Sequence, residues 1–166
     1  MGIVHPTAIA VAVLAASSFA VTENRAESTT DSLAHLAGRW IGKALMTPTS
    51  GPQASFDCIV TYLPRSDGPG LKQNFRCDNG TDFKIHAATE LEVHGASVTG
   101  RWQDKINNMQ GTLVGDVTND GFTVQLSGDQ FQAAMAVSGQ GCEQIVKVTP
   151  EKSDPFQQLA ATLKKC

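Results

Sequence analysis

One hairpin, between Ser55 and Cys77, constrains this chain more than any other stretch of it. Its arms, SFDCIVTYLP and LKQNFRC, flank the turn-forming stretch RSDGPG, and folding them about the centre of Ser66–Pro69 sets Cys58 opposite Cys77. Side chains alternate between the faces of a strand, so this register gathers one mainly apolar face. That face carries Phe56, Cys58, Val60, Tyr62, Phe75 and Cys77. Directly opposed cysteines are close enough to bond, and we predict the disulfide Cys58–Cys77.

The chain has four cysteines, and the predicted bond leaves Cys142 to pair with Cys166. Two disulfides require an oxidising compartment. A metal site is the alternative use of cysteines, but the sequence contains no Cys-x-x-Cys pair of the kind that zinc sites use. We therefore predict two disulfides, no metal and no cofactor.

The first 20 residues favour export. The apolar run Ala8–Val21 is too short to cross a bilayer, and Ser18-Phe19-Ala20 fits the small-x-small cleavage rule. The residues before this run contain no Lys or Arg, so a retained membrane anchor is the alternative. We predict a signal peptide over 1–20, a disordered leader over 21–31 and one domain over 32–166, located in the periplasm or secreted.

Length and charge limit the possible partners. A chain of 166 residues suits one domain, and its net charge of -3 argues against nucleic acid, which requires a clustered basic surface. We expect a monomer that does not bind nucleic acid.

Successive short turns organise the rest of the chain. Two-residue turns are predicted at Gly95-Ala96, Asn119-Asp120, Gly128-Asp129 and Gly139-Gln140, and a four-residue turn at 105–108. Each two-residue turn brings apolar residues opposite one another. The turn at Gly128-Asp129 sets Leu126 opposite Phe131, and the turn at Gly139-Gln140 sets Val137 opposite Cys142. A two-residue turn at Asn79-Gly80 would put Phe83 out of phase, so we expect a three-residue loop or a bulge there.

The fold class that follows is all-β. An antiparallel meander of about eight or nine strands with one apolar face removes its free edges most economically by closing into an up-and-down barrel. A two-sheet sandwich is the alternative. The second face carries Lys, Glu, Gln and Arg rather than a lipid-facing belt, so no stable membrane insertion is expected.

The two ends of the domain predict helices. Leu33–Leu36 suits one helical turn, capped by Asp31 or Ser32. From Asp154-Pro155 onward, an apolar stripe at i, i+3 and i+7 predicts a C-terminal helix packed outside the barrel. The stripe consists of Phe156, Leu159 and Leu163. Outward apolar residues that would receive it are Ile41, Leu45, Ile59, Ala134 and Ile145.

The pattern formed by the segments LAGRW, NFRC, TGRW, GTLVGDV and GCEQI, through to the terminal Cys166, extends over most of the domain. In them the chain resembles a family of small exported alphaproteobacterial proteins without an established function. That resemblance implies a secreted all-β domain.

Two characterised groups are similar over shorter stretches. The short helix followed by Gly38-Arg39-Trp40 resembles the entry to a lipocalin barrel, which implies a lipocalin-like fold with an outer helix. Leu36–Trp40 together with the Cys58/Cys77 hairpin is similar to periplasmic metalloprotease inhibitors of the Inh type. In those inhibitors the mobile N-terminal segment enters the protease, which here implies a role for the residues after Ala20.

No motif predicts catalysis, and we expect a protein that is not an enzyme. His86, Glu90, Glu92 and His94 share one strand face, but His86 and His94 lie about 26 Å apart at strand spacing and cannot share a metal. Asp104 is predicted to point inward near a barrel end, either facing a ligand or lying at the rim in water.

The inward face predicts a binding barrel for a small apolar ligand. The candidate ligand-binding residues are Trp40, Phe56, Tyr62, Gln73, Phe75, Trp102, Asp104 and Met135. Small inward residues would leave room: Gly42, Ala44, Ala87, Gly100, Gly111, Gly115 and Ala133. Alternatively, large and small residues fill the barrel. The domain would then be a protein-binding module, such as a protease inhibitor, or a structural envelope protein.

Overall fold

The computed structural model describes residue 2 and residues 32–81, 83–152 and 156–166. The predicted signal peptide and leader lie outside these ranges apart from Gly2. The leader includes the residues after Ala20 to which the Inh resemblance assigns a role. Asp31, one of the two predicted capping residues, lies outside them as well.

The domain is a closed barrel of ten antiparallel strands in which every strand pairs with its neighbours in sequence and β1 pairs with β10. The strands are β1 (Gly38–Pro48), β2 (Ala54–Pro64), β3 (Gly70–Asp78), β4 (Lys84–His94), β5 (Ser97–Asp104), β6 (Met109–Thr118), β7 (Gly121–Gly128), β8 (Gln132–Gln140), β9 (Glu143–Pro150) and β10 (Phe156–Lys164). The predicted up-and-down antiparallel barrel is therefore confirmed, and the sandwich alternative is wrong. The count of eight or nine strands is too low.

The predicted C-terminal helix is wrong, because Phe156–Lys164 form β10. Its predicted start, Asp154-Pro155, lies outside the described residues. Strand β10 pairs with β1 on one side and with β9 on the other. An up-and-down meander of nine strands would bring β1 and β9 together in parallel, whereas a tenth strand lets the whole barrel close with antiparallel pairs. Closure satisfies two rows of backbone groups that would otherwise form free edges, and this outweighs the local helix preference of Gln, Leu, Ala and Lys.

A register shift in β10 explains the misleading spacing. Thr47 faces Gln158 but Pro48 faces Phe156, so Gln157 is the extra residue of a bulge. The bulge returns Phe156 to the inner face, three positions before Leu159. The inner face of the strand then continues through Leu159, Ala161 and Leu163. An i, i+3 spacing thus arises from a strand with an inserted residue.

The predicted hairpin registers are reproduced between β2 and β3 and from β4 to β7. Cys58 faces Cys77 and Tyr62 faces Gln73, as predicted. The turns at Gly95-Ala96, 105–108 and Asn119-Asp120 also have the predicted partners. The connection after Asp78 spans residues 79–83, so the two-residue turn is absent, but the loop is longer than the three residues expected.

Two later registers differ from the prediction. Leu126 faces Ala133 rather than Phe131, and Val137 faces Val146 rather than Cys142. In the second case the turn lies at Gly141-Cys142, where Gly141 takes a φ of 56°. The predicted partners are displaced by two and by four residues. Because both displacements are even, the same side chains point inward. Alternation of apolar and polar residues cannot distinguish such registers.

One end of the barrel is closed by the segment that precedes β1. A 3₁₀ helix, Ala34–Leu36, has Leu33 at its N-cap position and no side-chain cap there, so the prediction of Ser32 as the capping residue is wrong. Leu33 and Leu36 are buried, and the Nε1 of Trp40 donates a 2.7 Å hydrogen bond to the carbonyl oxygen of Leu36. The inner side chains at this end are therefore covered.

Both predicted disulfides are present. Cys58 bonds to Cys77 inside the barrel, with Cα atoms 4.2 Å apart. Cys142 bonds to Cys166 on the surface of the closed end, with Cα atoms 5.4 Å apart. Disulfides of this kind indicate an oxidising compartment outside the cytoplasm.

Candidate ligand-binding site

A cavity of about 290 Å³ occupies the half of the barrel opposite the 3₁₀ helix. Its wall is mainly apolar and comes from β3 to β10. The apolar lining residues are Phe75, Phe83, Ile85, Ala87, Trp102, Met109, Leu126, Phe131, Met135, Val146, Val148, Phe156 and Leu159. This volume lies at the lower limit of small-molecule sites, which begin near about 300 Å³.

The mouth of the cavity is at the end of the barrel opposite the 3₁₀ helix. Aromatic rings form much of the wall near this mouth. The ring of Trp102 meets Phe131 edge-on, with centroids 5.9 Å apart, and Phe131 lies 6.3 Å from Phe156. Phe83 is in edge contact with Phe56 behind it, at 5.4 Å. These rings supply rigid apolar area of the kind that binds flat or short-chain ligands.

A row of polar side chains crosses the inner wall one step below the mouth. Tyr62, Gln73, Thr89 and Trp102 are successive cross-strand neighbours on β2 to β5. The Nε2 of Gln73 donates to the hydroxyl of Tyr62 at 3.0 Å, and that hydroxyl donates to Gln144 at 3.4 Å. Burial raises the pKa of Tyr62 well above its usual value, so its hydroxyl stays protonated. Gln73, Thr89 and Trp102 line the cavity.

Trp102 contributes an unsatisfied donor. Its side chain is only 6% exposed, and its Nε1 has no hydrogen-bond partner within the described part of the chain. A buried N–H without a partner costs free energy, roughly 1–3 kcal/mol.

Asp104 stands at the mouth and is occupied by its own turn. Its Oδ1 accepts hydrogen bonds from the backbone N–H groups of Ile106 and Asn107, at 2.9 and 3.1 Å, and its Oδ2 accepts one from the side chain of Asn107 at 2.8 Å. The carboxylate therefore orders the β5–β6 turn, although the residue also borders the cavity. The sequence left two positions open for Asp104, facing a ligand or at the rim in water. The residue lies at the rim and is buried.

A second cleft, of about 370 Å³, lies at the same mouth. It adds the charged side chains of Lys105 and Asp129. The residues that it shares with the cavity are Trp102, Asp104, Met109, Gln130 and Phe131. The site therefore passes from a polar entrance to an apolar interior.

The eight candidate residues divide into those that line the cavity and those that are packed away from it. Five line the cavity: Gln73, Phe75, Trp102, Asp104 and Met135. Trp40, Phe56 and Tyr62 do not line it, although all three are buried. Trp40 packs beneath the 3₁₀ helix, Phe56 lies behind Phe83, and Tyr62 is covered by its polar partners. Parity along a strand predicted that these side chains point inward, but not which part of the barrel interior each one occupies.

The small inward residues do not create the cavity. Of the seven proposed, only Ala87 lines it. A Cβ at Gly111 would lie 2.8 Å from the Nε1 of Trp102 and would collide with the carbonyl oxygen of Ser127. A Cβ at Gly100 would collide with the carbonyl oxygen of Glu90. These glycines allow close approach of neighbouring strands, as glycine kinks do in closed barrels.

Several lining residues were missed by sequence reasoning. Phe83 and Ile85 have the predicted inward phase but were not assigned to the site, and Phe156 and Leu159 were hidden by the helix interpretation. Assigning each inward residue to an end of the barrel would have grouped Phe83, Met109 and Phe131, because all three lie at or beside the same set of turns.

The His/carboxylate group on β4 is part of the outer surface. Arg76 donates to the Nε2 of His86 at 3.0 Å, Lys72 lies 3.6 Å from Glu90, and Glu92 pairs with Arg65 at 2.7 Å. Among the described residues no cluster of three or more potential metal ligands occurs.

No protein-family model matches this chain, and no curated protein matches it significantly. Within the described ranges, no helix has the length and apolar character needed to cross a membrane.

Proposed function

We propose that this is an exported, non-enzymatic binding protein whose barrel holds one small apolar or amphipathic molecule. The observation that carries the proposal is the cavity of about 290 Å³ with its aromatic and aliphatic wall. A barrel that is only a scaffold needs no such space, since buried side chains fill the other half of this one.

The architecture supports a container with one entrance. The 3₁₀ helix and the Cys142–Cys166 bond cover one end, while the cavity lies at the other. Polar groups lie both at the entrance and in the interior, at Gln73 and Thr89, and they suit an amphipathic ligand whose apolar part is removed from water. The two disulfides support action in the periplasm or outside the cell.

A protein-binding role is the second candidate. Ile41, Leu45 and Ile145 lie on the outer face and are 53%, 50% and 44% exposed. The predicted C-terminal helix would have covered them, and that segment is instead β10. These residues lie on β1 and β9, the two strands that flank β10. Exposed apolar residues close together on an outer face are a feature of protein contact surfaces.

Titration of the folded protein with the apolar dye Nile red, following dye and tryptophan emission, tests the ligand role. We expect saturable binding at one site. Ala87→Leu places three extra carbons in the cavity and should weaken binding at least about tenfold if those carbons occupy the ligand's space.

Ala88→Leu is the matched control, because Ala88 is the next residue of β4 and points to the outer face. It should leave the dye affinity unchanged. Absence of binding for Nile red, fatty acids, tetrapyrroles and aromatic probes alike would contradict the ligand role and favour a protein partner.

A further inference from the structure

The charge of the cavity wall limits what the cavity accepts. Asp104 is the only ionisable side chain among the described residues that line it, and its oxygens already accept three hydrogen bonds from the β5–β6 turn. No Lys, Arg or His of the described ranges reaches the lining. A ligand carboxylate placed there would lose its hydration, find no cation and face the charge of Asp104.

The interior nevertheless has polar groups. Gln73 and Thr89 are direct cross-strand partners, and Thr89 is in turn the partner of Trp102. This row lies two residues, or about 7 Å, deeper than the row containing Asp104 and Ala87. An apolar wall therefore surrounds a short polar stretch away from the entrance.

These groups retain capacity for a further hydrogen bond. Gln73 uses its Nε2 for Tyr62, which leaves its Oε1 as an acceptor. Thr89 contributes a hydroxyl, which both donates and accepts. The Nε1 of Trp102 is a buried donor with no partner among the described residues. A neutral ligand group with both donor and acceptor character would match this row.

Resting on the proposed binding function, we infer that the cavity selects uncharged ligands carrying a hydroxyl or carbonyl group, which enters first and lies against Gln73 and Thr89. The apolar remainder of the ligand then contacts the aromatic rings nearer the mouth. A carboxylate is disfavoured in that deep position, because no cation lines the cavity and Asp104 borders it.

Three probes with one ring system test this selection by calorimetry at neutral pH: naphthalene, 2-naphthol and 2-naphthoate. We expect naphthalene to bind, naphthol to bind more tightly, and naphthoate to bind at least about tenfold more weakly than naphthol. Thr89→Val keeps the shape of the side chain and removes its hydroxyl. It should weaken naphthol binding by roughly three- to tenfold, the value of one net hydrogen bond, and leave naphthalene unaffected.

Thr112→Val, on the exposed face of β6, is the control and should change neither affinity. If naphthalene and naphthol both fail to bind, the proposed function itself fails. If naphthalene binds but naphthoate equals or exceeds naphthol, the binding function stands and the selection for neutral ligands is overturned. The selection is also overturned if naphthol binds no more tightly than naphthalene, and this comparison requires only the wild-type protein.

Discussion

The ammonium group of Lys165 lies 4.7 Å from the ring centroid of Trp40, which joins the penultimate residue of the chain to the first strand of the barrel. The same Nζ donates to the carbonyl oxygens of His35 and Ala37, at 3.0 and 3.4 Å. The backbone N–H of Lys165 donates to the carbonyl oxygen of Cys142, and Cys142 is disulfide-bonded to Cys166. The two termini of the domain thus secure the closed end together.

Removing this contact should loosen the closed end. Lys165→Met keeps an unbranched side chain but loses the cation–π contact and the bonds to the two carbonyls. We expect a decrease of about 1 kcal/mol in the free energy of unfolding, measured with urea. Lys164→Met, one residue earlier on an exposed outward position, should change it by less than about 0.5 kcal/mol. Equal effects of the two substitutions would contradict a specific role for Lys165.

Two adjacent alanines distinguish a strand from a helix at the C-terminus. In β10, Ala161 is fully buried and Ala160 points outward, beside Leu45 of β1. On the helix first predicted, Ala160 would lie beside the apolar stripe and Ala161 away from it. Ala161→Glu should therefore cost about 4 kcal/mol or prevent folding, whereas Ala160→Glu should be nearly neutral. A melting temperature that is lowered more by Ala160→Glu than by Ala161→Glu would contradict the strand and favour the helix.

The two disulfides should differ in their susceptibility to reduction. Cys142 and Cys166 are exposed, while Cys58 and Cys77 are buried inside the barrel. Because thiol exchange requires access to a sulfur, a mild reductant should open the 142–166 bond first under native conditions. Alkylation followed by mass spectrometry should reveal an intermediate labelled only at those two positions. Peptides linking 58 to 142 or 166 in the unreduced protein would contradict the strand register.

Asp120 should make part of the stability dependent on pH. Hydrogen bonds from the hydroxyls of Ser138, at 2.6 Å, and Thr118, at 3.1 Å, hold the pKa of Asp120 below its usual value of 3.8. Its folded-state pKa is depressed, so its contribution is complete above the ordinary value and is lost as the pH falls through the lower folded-state value.

Asp120→Asn removes this titration. The wild-type protein should exceed the variant in melting temperature at neutral pH, and the difference should shrink below about pH 4. A difference that stays constant across the acid range would contradict the role of the carboxylate charge.

The candidate site was predictable only in part. Inward phase follows from alternation along each strand, so Gln73, Phe75, Trp102, Asp104 and Met135 were found from the sequence. Depth along the barrel depends on the register of every strand relative to the others. Trp40 shares the inward phase of Trp102 but lies beneath the 3₁₀ helix, at the filled end.

Residue order was sufficient to predict the local structure of β1 to β9: the antiparallel hairpins, the inward face of these strands and both disulfides. These depend on contacts between residues that are near in the chain or on the period of a strand, which the residue order records directly. The secondary structure of Phe156–Lys164 and the position of the cavity depend instead on the closure of the whole barrel. The backbone of β10 is satisfied by β1, more than one hundred residues away, and no local pattern contains that partner. The cavity likewise belongs to no single segment, because it is the volume left once all ten strands have closed.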